Sequence, residues 1–200
     1  QQLEALQQAG IENILALRGD IPADAASTDT WQFRHASDLI RYLKSRGDFC
    51  VGAACYPEGH PESATQKEDI ATLRQKAEAG CDFMTTQMFF DNNILYNFLY
   101  KIREAGIETP IVAGIMPVTN GRQSLRVCQL SGTMLPPRFR QIVDRFADKP
   151  AAMKQAGIAY ATEQIIDLLA NGVNYIHVYS MNHPEVAQQI QANLSEVLQA

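Results

Sequence analysis

The fold is decided by the stretch Ile14-Leu15-Ala16-Leu17, which is followed directly by Arg18-Gly19-Asp20. A short apolar run of this kind predicts a buried strand. The cation, glycine and carboxylate behind it are typical of a barrel strand that delivers polar groups to a ligand at its carboxyl end. The same plan recurs along the chain, and it predicts strands at 13–17, 49–55, 83–88, 110–116 and 174–179.

Helical spacing of apolar residues fills the segments around these strands. We predict helices at 1–10, 36–46, 68–78, 94–105, 124–130, 137–145, 151–171 and 184–198. Strand, loop and helix therefore repeat with a period of roughly 30 to 35 residues, which favours parallel strands joined by crossover helices. The sequence predicts an α/β protein.

Two architectures fit a parallel sheet: an open doubly wound sheet and a (β/α)8 TIM barrel. The doubly wound sheet favours a glycine-rich phosphate turn, and neither GxGxxG nor GxxxxGK[ST] occurs in the sequence. A complete barrel needs about 250 residues for its eight units. Because the chain opens in the body of a predicted helix, we expect residues 1–200 to form one partial barrel domain, its last five βα units.

The composition excludes several classes of function. Of the 200 residues, 46% are apolar and 20% are charged, which is typical of a soluble globular domain. The net charge of -5 and the scattered arginines argue against a nucleic-acid partner. No apolar run is long enough to span a membrane and no leader is evident, so we expect a cytoplasmic protein. The cysteines lack metal-ligand spacing, which predicts buried free thiols and no metal site: Cys50, Cys55, Cys81 and Cys128.

Polar residues follow each predicted strand, and parallel strands bring such residues to one mouth. Arg18 suits an anionic or carbonyl-rich ligand, and it could equally pair with Asp20 to hold the loop. His60 lies in a proline- and glycine-rich loop, where an imidazole serves either as a ligand contact or as a structural hydrogen-bonding group. The run Met88-Phe89-Phe90 fits either a stacking surface for a flat ring or core beneath a loop. We expect His177, inside a strand, to lie in the core.

Six segments carry a family resemblance, in the family's order and across almost the whole chain. They are Ala16-Leu17-Arg18-Gly19-Asp20, Ala54-Cys55-Tyr56-Pro57-Glu58-Gly59-His60-Pro61-Glu62, Lys76-Ala77-Glu78-Ala79-Gly80, Thr86-Gln87-Met88-Phe89-Phe90-Asp91, Gly114-Ile115-Met116-Pro117-Val118 and His177-Val178-Tyr179-Ser180-Met181-Asn182. With these segments the sequence resembles the methylenetetrahydrofolate reductases.

The resemblance implies a (β/α)8 barrel that holds FAD tightly but without a covalent bond. NADH or NADPH would hand a hydride to the flavin, and 5,10-methylenetetrahydrofolate would then be reduced to 5-methyltetrahydrofolate on the same face. The chain resembles the family's fourth to eighth strands. The family's general-acid glutamate, on its first strand, has no counterpart here, and no regulatory domain is expected. A homo-oligomer is expected as well.

The same resemblance assigns residues one by one. Asp20, near the flavin N1 and C2 carbonyl, and Gln87, on the open face of the flavin, are implied as catalytic. The implied cofactor contacts are Arg18, Gly19, Asp20, His35, Ala36, Tyr56, His60, Glu62, Ser63, Asp69 and Lys76. The implied substrate contacts are Gln87, Gln123 and His183, the last standing where the family often has arginine. Val127 stands where some members have an aromatic residue that stacks on the ligand.

Two rival interpretations remain open from the sequence. The first is a different flavin barrel oxidoreductase, similar to proline dehydrogenase, which substrate screening would distinguish. The second is a non-catalytic barrel fragment that pairs with another chain through its open sheet edges.

Overall fold

The computed structural model describes residues 2–19, 21 and 31–199, and at 122–125 it describes the backbone alone. Helices and strands alternate along the chain. In chain order they are α1 Gln2–Gln8, β1 Asn13–Ala16, α2 Ala36–Lys44, β2 Cys50–Cys55, α3 Gln66–Glu78, β3 Phe83–Thr86, α4 Asn92–Glu104, β4 Ile111–Ile115, α5 Gly121–Ser131, α6 Pro137–Phe146, α7 Pro150–Ala170, β5 Ile176–Val178 and α8 Pro184–Asn193, followed by a 3-10 turn at Val197–Gln199. None of the described helices combines the length and the apolar character that crossing a membrane requires.

The described strands form one parallel sheet in the order β1-β2-β3-β4-β5. Ile14 pairs with Val51, Ala53 with Met84, and Gly114 with His177. Strands that are neighbours in sequence are therefore neighbours in space. A doubly wound sheet reverses its strand order at a switch point, and this order does not reverse. The predicted α/β class with a parallel sheet is confirmed.

One face of the sheet is covered by helices. Alternate strand residues on this face are fully buried: Ala16, Val51, Ala53, Met84, Ala113 and Ile115. The helices contribute Ile40, Leu73, Leu95, Leu168 and Ile190 to the same core. Sequential parallel strands joined by crossovers of one hand place the covering helices on the same side, which accounts for this continuous core between sheet and helices.

The opposite face of the sheet is open at β1 and β5. Leu15 and Leu17 are 50% and 51% exposed, although Ala16 between them is fully buried. His177 is also exposed, whereas its neighbours Ile176 and Val178 pack against the core. The prediction that His177 lies in the core is wrong, because strand alternation turns it to the face that the helices do not cover.

A second apolar cluster lies beyond the carboxyl ends of β3 and β4. It joins the loops after these strands to α5, α6 and α7 through Met88, Phe90, Met116, Val118, Cys128, Phe139, Val143 and Met153. Gly157 of α7 makes this packing close, since a Cβ there would lie 1.8 Å from the Val118 carbonyl oxygen. The run at 88–90 is thus core beneath a loop, with Met88, Phe89 and Phe90 at most 3% exposed.

All four cysteines are free thiols. Cys55, Cys81 and Cys128 are buried as predicted, whereas Cys50 at the start of β2 is only half-buried. Burial raises the pKa of Cys81 to about 11, which keeps this thiol protonated and unreactive at neutral pH.

Candidate functional site

The carboxyl ends of the parallel strands lie along one edge of the sheet, where ligands bind in folds of this kind. The loops after β1 and β2 carry most of the predicted cofactor contacts, and the loop after β3 carries Gln87. Asp20, which the resemblance implies as catalytic, lies outside the described residues.

Arg18, just after β1, reaches the loop after β2. Its Nη1 and Nη2 donate to Glu62 Oε2 and Oε1 at 2.8 and 2.6 Å, a bidentate ion pair. The hydrogen bond from Arg18 lowers the pKa of Glu62, so this carboxylate is ionised at neutral pH. Gly19 follows with φ +76°, a conformation that glycine adopts without steric cost. Arg18 and Glu62, which the resemblance assigns as two separate cofactor contacts, are therefore joined by one ion pair.

Tyr56 and His60 form a second pair in the loop after β2. Their rings pack edge to face with centroids 4.5 Å apart. The backbone N–H of Glu62 donates to His60 Nδ1 at 3.1 Å. Because Nδ1 is an acceptor, the neutral imidazole carries its proton on Nε2, which is then a hydrogen-bond donor.

Charged residues are buried where α3 passes behind this loop. Asp69 and Lys76 are 4% and 9% exposed. Ser63 Oγ donates to Asp69 Oδ1 at 3.4 Å, and Lys76 Nζ donates to the Ala54 carbonyl oxygen at 2.8 Å. Burial raises the pKa of Asp69 and lowers the pKa of Lys76, while the opposite charge of each partner favours the ionised form of the other. The Lys76 amino group is thus anchored at the end of β2 by its bond to the Ala54 carbonyl.

Gln87 follows β3 directly and is half-buried. Its backbone N–H donates to the Cys55 carbonyl at 2.7 Å, which extends the pairing with β2 by one bond. Its side-chain Oε1 accepts from the Met88 N–H at 3.0 Å. The carboxamide is therefore oriented by the backbone of its own loop.

Glu58 links the loop after β2 to the segment between α5 and α6. Its Oε2 accepts from the Met134 N–H at 3.0 Å. Within the described part of the chain, its Oε1 is buried and has no hydrogen-bond partner. Burial raises the pKa of Glu58, and the nearby Asp91 carboxylate raises it further.

The remaining assigned residues lie at the starts of helices. His35 immediately precedes α2 and Ala36 begins it. Gln123 lies in the first turn of α5, after β4, and His183 immediately precedes α8, after β5. The His183 side chain is exposed, with Nδ1 3.4 Å from the Oε1 atom of Glu185.

The sequence interpretation missed a set of side chains that bind the loop carrying Gln87. These residues are Thr133, Tyr160, Gln164 and Tyr179. Tyr179 lies in one of the six family segments, and its position at the end of a strand was a usable signal. Tyr160 and Gln164 come from the helix α7 and Thr133 from the segment between α5 and α6, where one polar residue among many carries no such signal.

The chain is thus a parallel α/β protein with charged and amide side chains gathered at the carboxyl edge of its sheet. The family model for methylenetetrahydrofolate reductase matches residues 1–195. Among curated relatives, methylenetetrahydrofolate reductase 2 of Saccharomyces cerevisiae is 40% identical over 187 residues, which cover 90% of this chain and 31% of the yeast protein. The 5,10-methylenetetrahydrofolate reductase of Escherichia coli is 33% identical over 181 residues, 90% of this chain and 60% of that protein.

The chain belongs to the methylenetetrahydrofolate reductase family. It spans about a third of the length of its eukaryotic relatives, as the 35% of the Arabidopsis thaliana NADH enzyme illustrates. A solved Clostridium thermocellum protein, described as binding two copies of 5-methyl-5,6,7,8-tetrahydrofolic acid, shares the fold with a TM-score of 0.53 at 15% identity. That match covers 80% of this chain and 59% of the solved one.

Proposed function

We propose that this chain supplies the cofactor and substrate face of a flavin-dependent methylenetetrahydrofolate reductase. The reaction is reduction of 5,10-methylenetetrahydrofolate to 5-methyltetrahydrofolate, with NADH or NADPH as the hydride donor. Family membership supports the reaction class. The observation that carries the proposal is the Arg18–Glu62 pair, which joins two of the assigned cofactor positions from different βα units.

The donor groups at this edge fit the anionic part of FAD. The Arg18 guanidinium, the Nε2–H of His60 and the side-chain amino group of Lys76 are the donor types that bind a diphosphate, whereas the hydroxyl proton of Ser63 is already donated to Asp69. Gly19 fits as well, because no atom of the described residues lies within 4 Å of the position that a Cβ would occupy. When bound, FAD supplies the chemistry of accepting a hydride from the nicotinamide and passing it to the folate.

The protein side chains would then bind the two substrates and orient them on the flavin. Gln87 would meet the nicotinamide and the pterin in turn, because a carboxamide can both donate and accept hydrogen bonds. Its bond to the Met88 N–H fixes the direction in which it points. Gln123 and His183 follow the next two strands and are assigned to the same substrate. Asp20 is assigned to the flavin edge, where a carboxylate disfavours negative charge on the reduced ring.

A (β/α)8 barrel, with this chain as its last five units, belongs to the same proposal. The sequential parallel order and the single helix-covered face support it. So does the exposure of Leu15 and Leu17, because a barrel would bury the open face of the sheet. The rival, a fragment that pairs with another chain through its edges, predicts a molecular mass that rises with protein concentration.

Anaerobic visible spectroscopy of the purified protein tests the activity. A flavin spectrum that NADH bleaches and methylenetetrahydrofolate restores is the expected result, and reduction by proline would favour the proline dehydrogenase-like alternative. Arg18→Ala should weaken FAD binding about tenfold or more, whereas Arg138→Ala removes another bidentate arginine–glutamate pair and should leave FAD binding unchanged. Equal losses in both variants, or no flavin in the wild type, would contradict the assignment.

A further inference from the structure

The loop that carries Gln87 is held through its backbone carbonyl groups. We define the Gln87 loop as residues 86–90. Within it, the carbonyls of Thr86, Met88, Phe89 and Phe90 each accept a hydrogen bond from a distant side chain. In the same order the donors are Tyr179 at 2.7 Å, Thr133 at 3.3 Å, Gln164 at 3.3 Å and Tyr160 at 2.6 Å.

These bonds satisfy carbonyl groups that water cannot reach. Thr86 and Phe89 are fully buried, and Met88 and Phe90 are 3% and 1% exposed. Thr86 ends β3 and residues 88–90 lie beyond the sheet ladder, so side chains supply the donors that a neighbouring strand would otherwise supply. Removing a donor therefore leaves a buried acceptor unpaired rather than exchanging one bond for another.

The two shortest bonds lie on either side of Gln87, and both come from tyrosine hydroxyls. The ring of Tyr160 on α7 stacks on Phe139 with centroids 4.2 Å apart, and the Arg138 guanidinium lies 5.8 Å from its centroid. Because the ring is fixed by these contacts, the direction of its hydroxyl is fixed as well. Burial raises the pKa of Tyr160, so the hydroxyl stays protonated and donates.

Tyr179 is fixed differently, by the absence of a side chain opposite it. A Cβ at Gly114 would lie 2.6 Å from the Tyr179 ring and 2.4 Å from the Thr86 carbonyl oxygen. Glycine at this position is what lets the Tyr179 ring come close to β4 while its hydroxyl reaches the Thr86 carbonyl of β3. Burial raises the pKa of Tyr179 to about 12, which keeps this hydroxyl a donor at neutral pH.

We propose that Tyr160 and Tyr179 are positioning residues, which hold the Gln87 carboxamide in place by clamping the carbonyls of Phe90 and Thr86. The link is direct, because the Met88 N–H that orients Gln87 Oε1 belongs to the clamped segment. The inference rests on the proposed function, in which Gln87 contacts both substrates. Loss of either hydroxyl lets the carboxamide shift while its chemistry stays intact, and misplacement of a substrate-positioning group is costly in rate.

The test is a set of double-mutant cycles on folate reduction. Tyr160→Phe and Tyr179→Phe each remove one oxygen and retain the ring, and each should lower kcat/KM for methylenetetrahydrofolate about tenfold. In a Gln87→Ala background the same substitutions should change kcat/KM less than about twofold, because the group they position is gone. An equal loss in both backgrounds would overturn the proposal, since a purely structural effect does not depend on Gln87.

Tyr96→Phe is the matched control. Its hydroxyl donates to Asp167 Oδ2 at 2.7 Å, between α4 and α7, and among the described residues it donates to none of the carbonyl groups of the Gln87 loop. Because this bond is exposed, we expect a smaller loss of stability than in Tyr160→Phe, and an unchanged kcat/KM. If Tyr96→Phe lowers kcat/KM as much as Tyr160→Phe, the clamp has no special role.

A measurement without turnover separates this proposal from the assigned activity. In ¹⁵N spectra, the side-chain NH2 signal of Gln87, identified by its loss in Gln87→Ala, should shift or broaden in Tyr160→Phe and not in Tyr96→Phe. An unchanged signal overturns the clamp even if the enzyme is active. A wild type that fails to reduce flavin with NADH contradicts the proposed function instead. Should Tyr160→Phe not fold, Thr133→Val removes the donor to the Met88 carbonyl at nearly constant volume and should shift the same signal.

Discussion

Replacing Gly157 with alanine tests the close packing of α7 against the loop after β4. In an ordinary helix interior this change stabilises by about 1 kcal/mol, because alanine has the higher helix propensity. Here the new Cβ would lie 1.8 Å from the Val118 carbonyl oxygen and 2.6 Å from its carbonyl carbon. The loop or the helix would have to move by about 1.5 Å to restore a normal contact.

The magnitude follows from what surrounds the contact. Val118 is 1% exposed and Met153, one helical turn before Gly157, is fully buried, so neither side has space to retreat into. Overpacking of a close-packed interior costs about 1–3 kcal/mol, and the clash here is with rigid backbone. We expect Gly157→Ala to lower the free energy of unfolding by about 2–4 kcal/mol, despite the gain in propensity.

Thermal and urea unfolding followed by circular dichroism measure this loss. A decrease of about 5–15 °C in Tm is expected for a chain of this size. Ala159→Gly, at an exposed position of the same helix, is the control and should cost about 1 kcal/mol through propensity alone. Val118→Ala should not rescue the variant, because the clash is with a carbonyl group rather than a side chain. A Gly157→Ala variant as stable as the wild type would refute the packing argument.

Three further changes probe other parts of the molecule. Met181 has φ 51°, so Met181→Gly should raise the free energy of unfolding by about 1 kcal/mol in urea titrations, and an unchanged value would contradict the strain. Burial raises the pKa of Glu58 above 4.5. The free energy of unfolding of the wild type, measured relative to Glu58→Gln, should therefore fall as pH rises from 4.5 towards 7. A difference between the two proteins that does not change with pH would count against this. Asp82 accepts from Lys44 Nζ and the Val51 N–H, both at 2.6 Å, so Asp82→Ala should cost about 1–3 kcal/mol by thermal unfolding, whereas a neutral change would show that neither bond stabilises the fold.

The strands could be predicted because buried parallel strands are continuously apolar. Val51, Gly52 and Ala53 illustrate this, since all three are buried. The ends were harder to predict. The prediction carried the third strand through residue 88, but β3 ends at Thr86 because the next carbonyls turn to side-chain donors rather than to a neighbouring strand. A local apolar run does not show whether its carbonyl groups accept hydrogen bonds from a neighbouring strand or from side chains.

The sequence was enough to name candidate site residues, but not to predict which of them contact one another. Sequence order places Arg18 and Glu62 on successive loops, and parallel pairing brings the ends of β1 and β2 together. Their bidentate contact depends on exact register and loop path, so the local candidate, Asp20, was the partner considered for Arg18. The prediction that His177 is buried was wrong for a related reason: apolar neighbours indicate a strand but do not show which face of the strand the helices cover.

The sequential order of the strands has a consequence for how the molecule unfolds. Among the described strands, each pairs with its neighbours in sequence, so within the sheet a local defect at β2 reaches β5 through the intervening pairings. The helix α7 shortens that route, since it packs against β4, α4, α6 and α8 at once. A molecule that contacts both Arg18 and His183 would link the first and last βα units directly. Its binding free energy would then make the whole sheet unfold more cooperatively, rather than stabilise one βα unit alone.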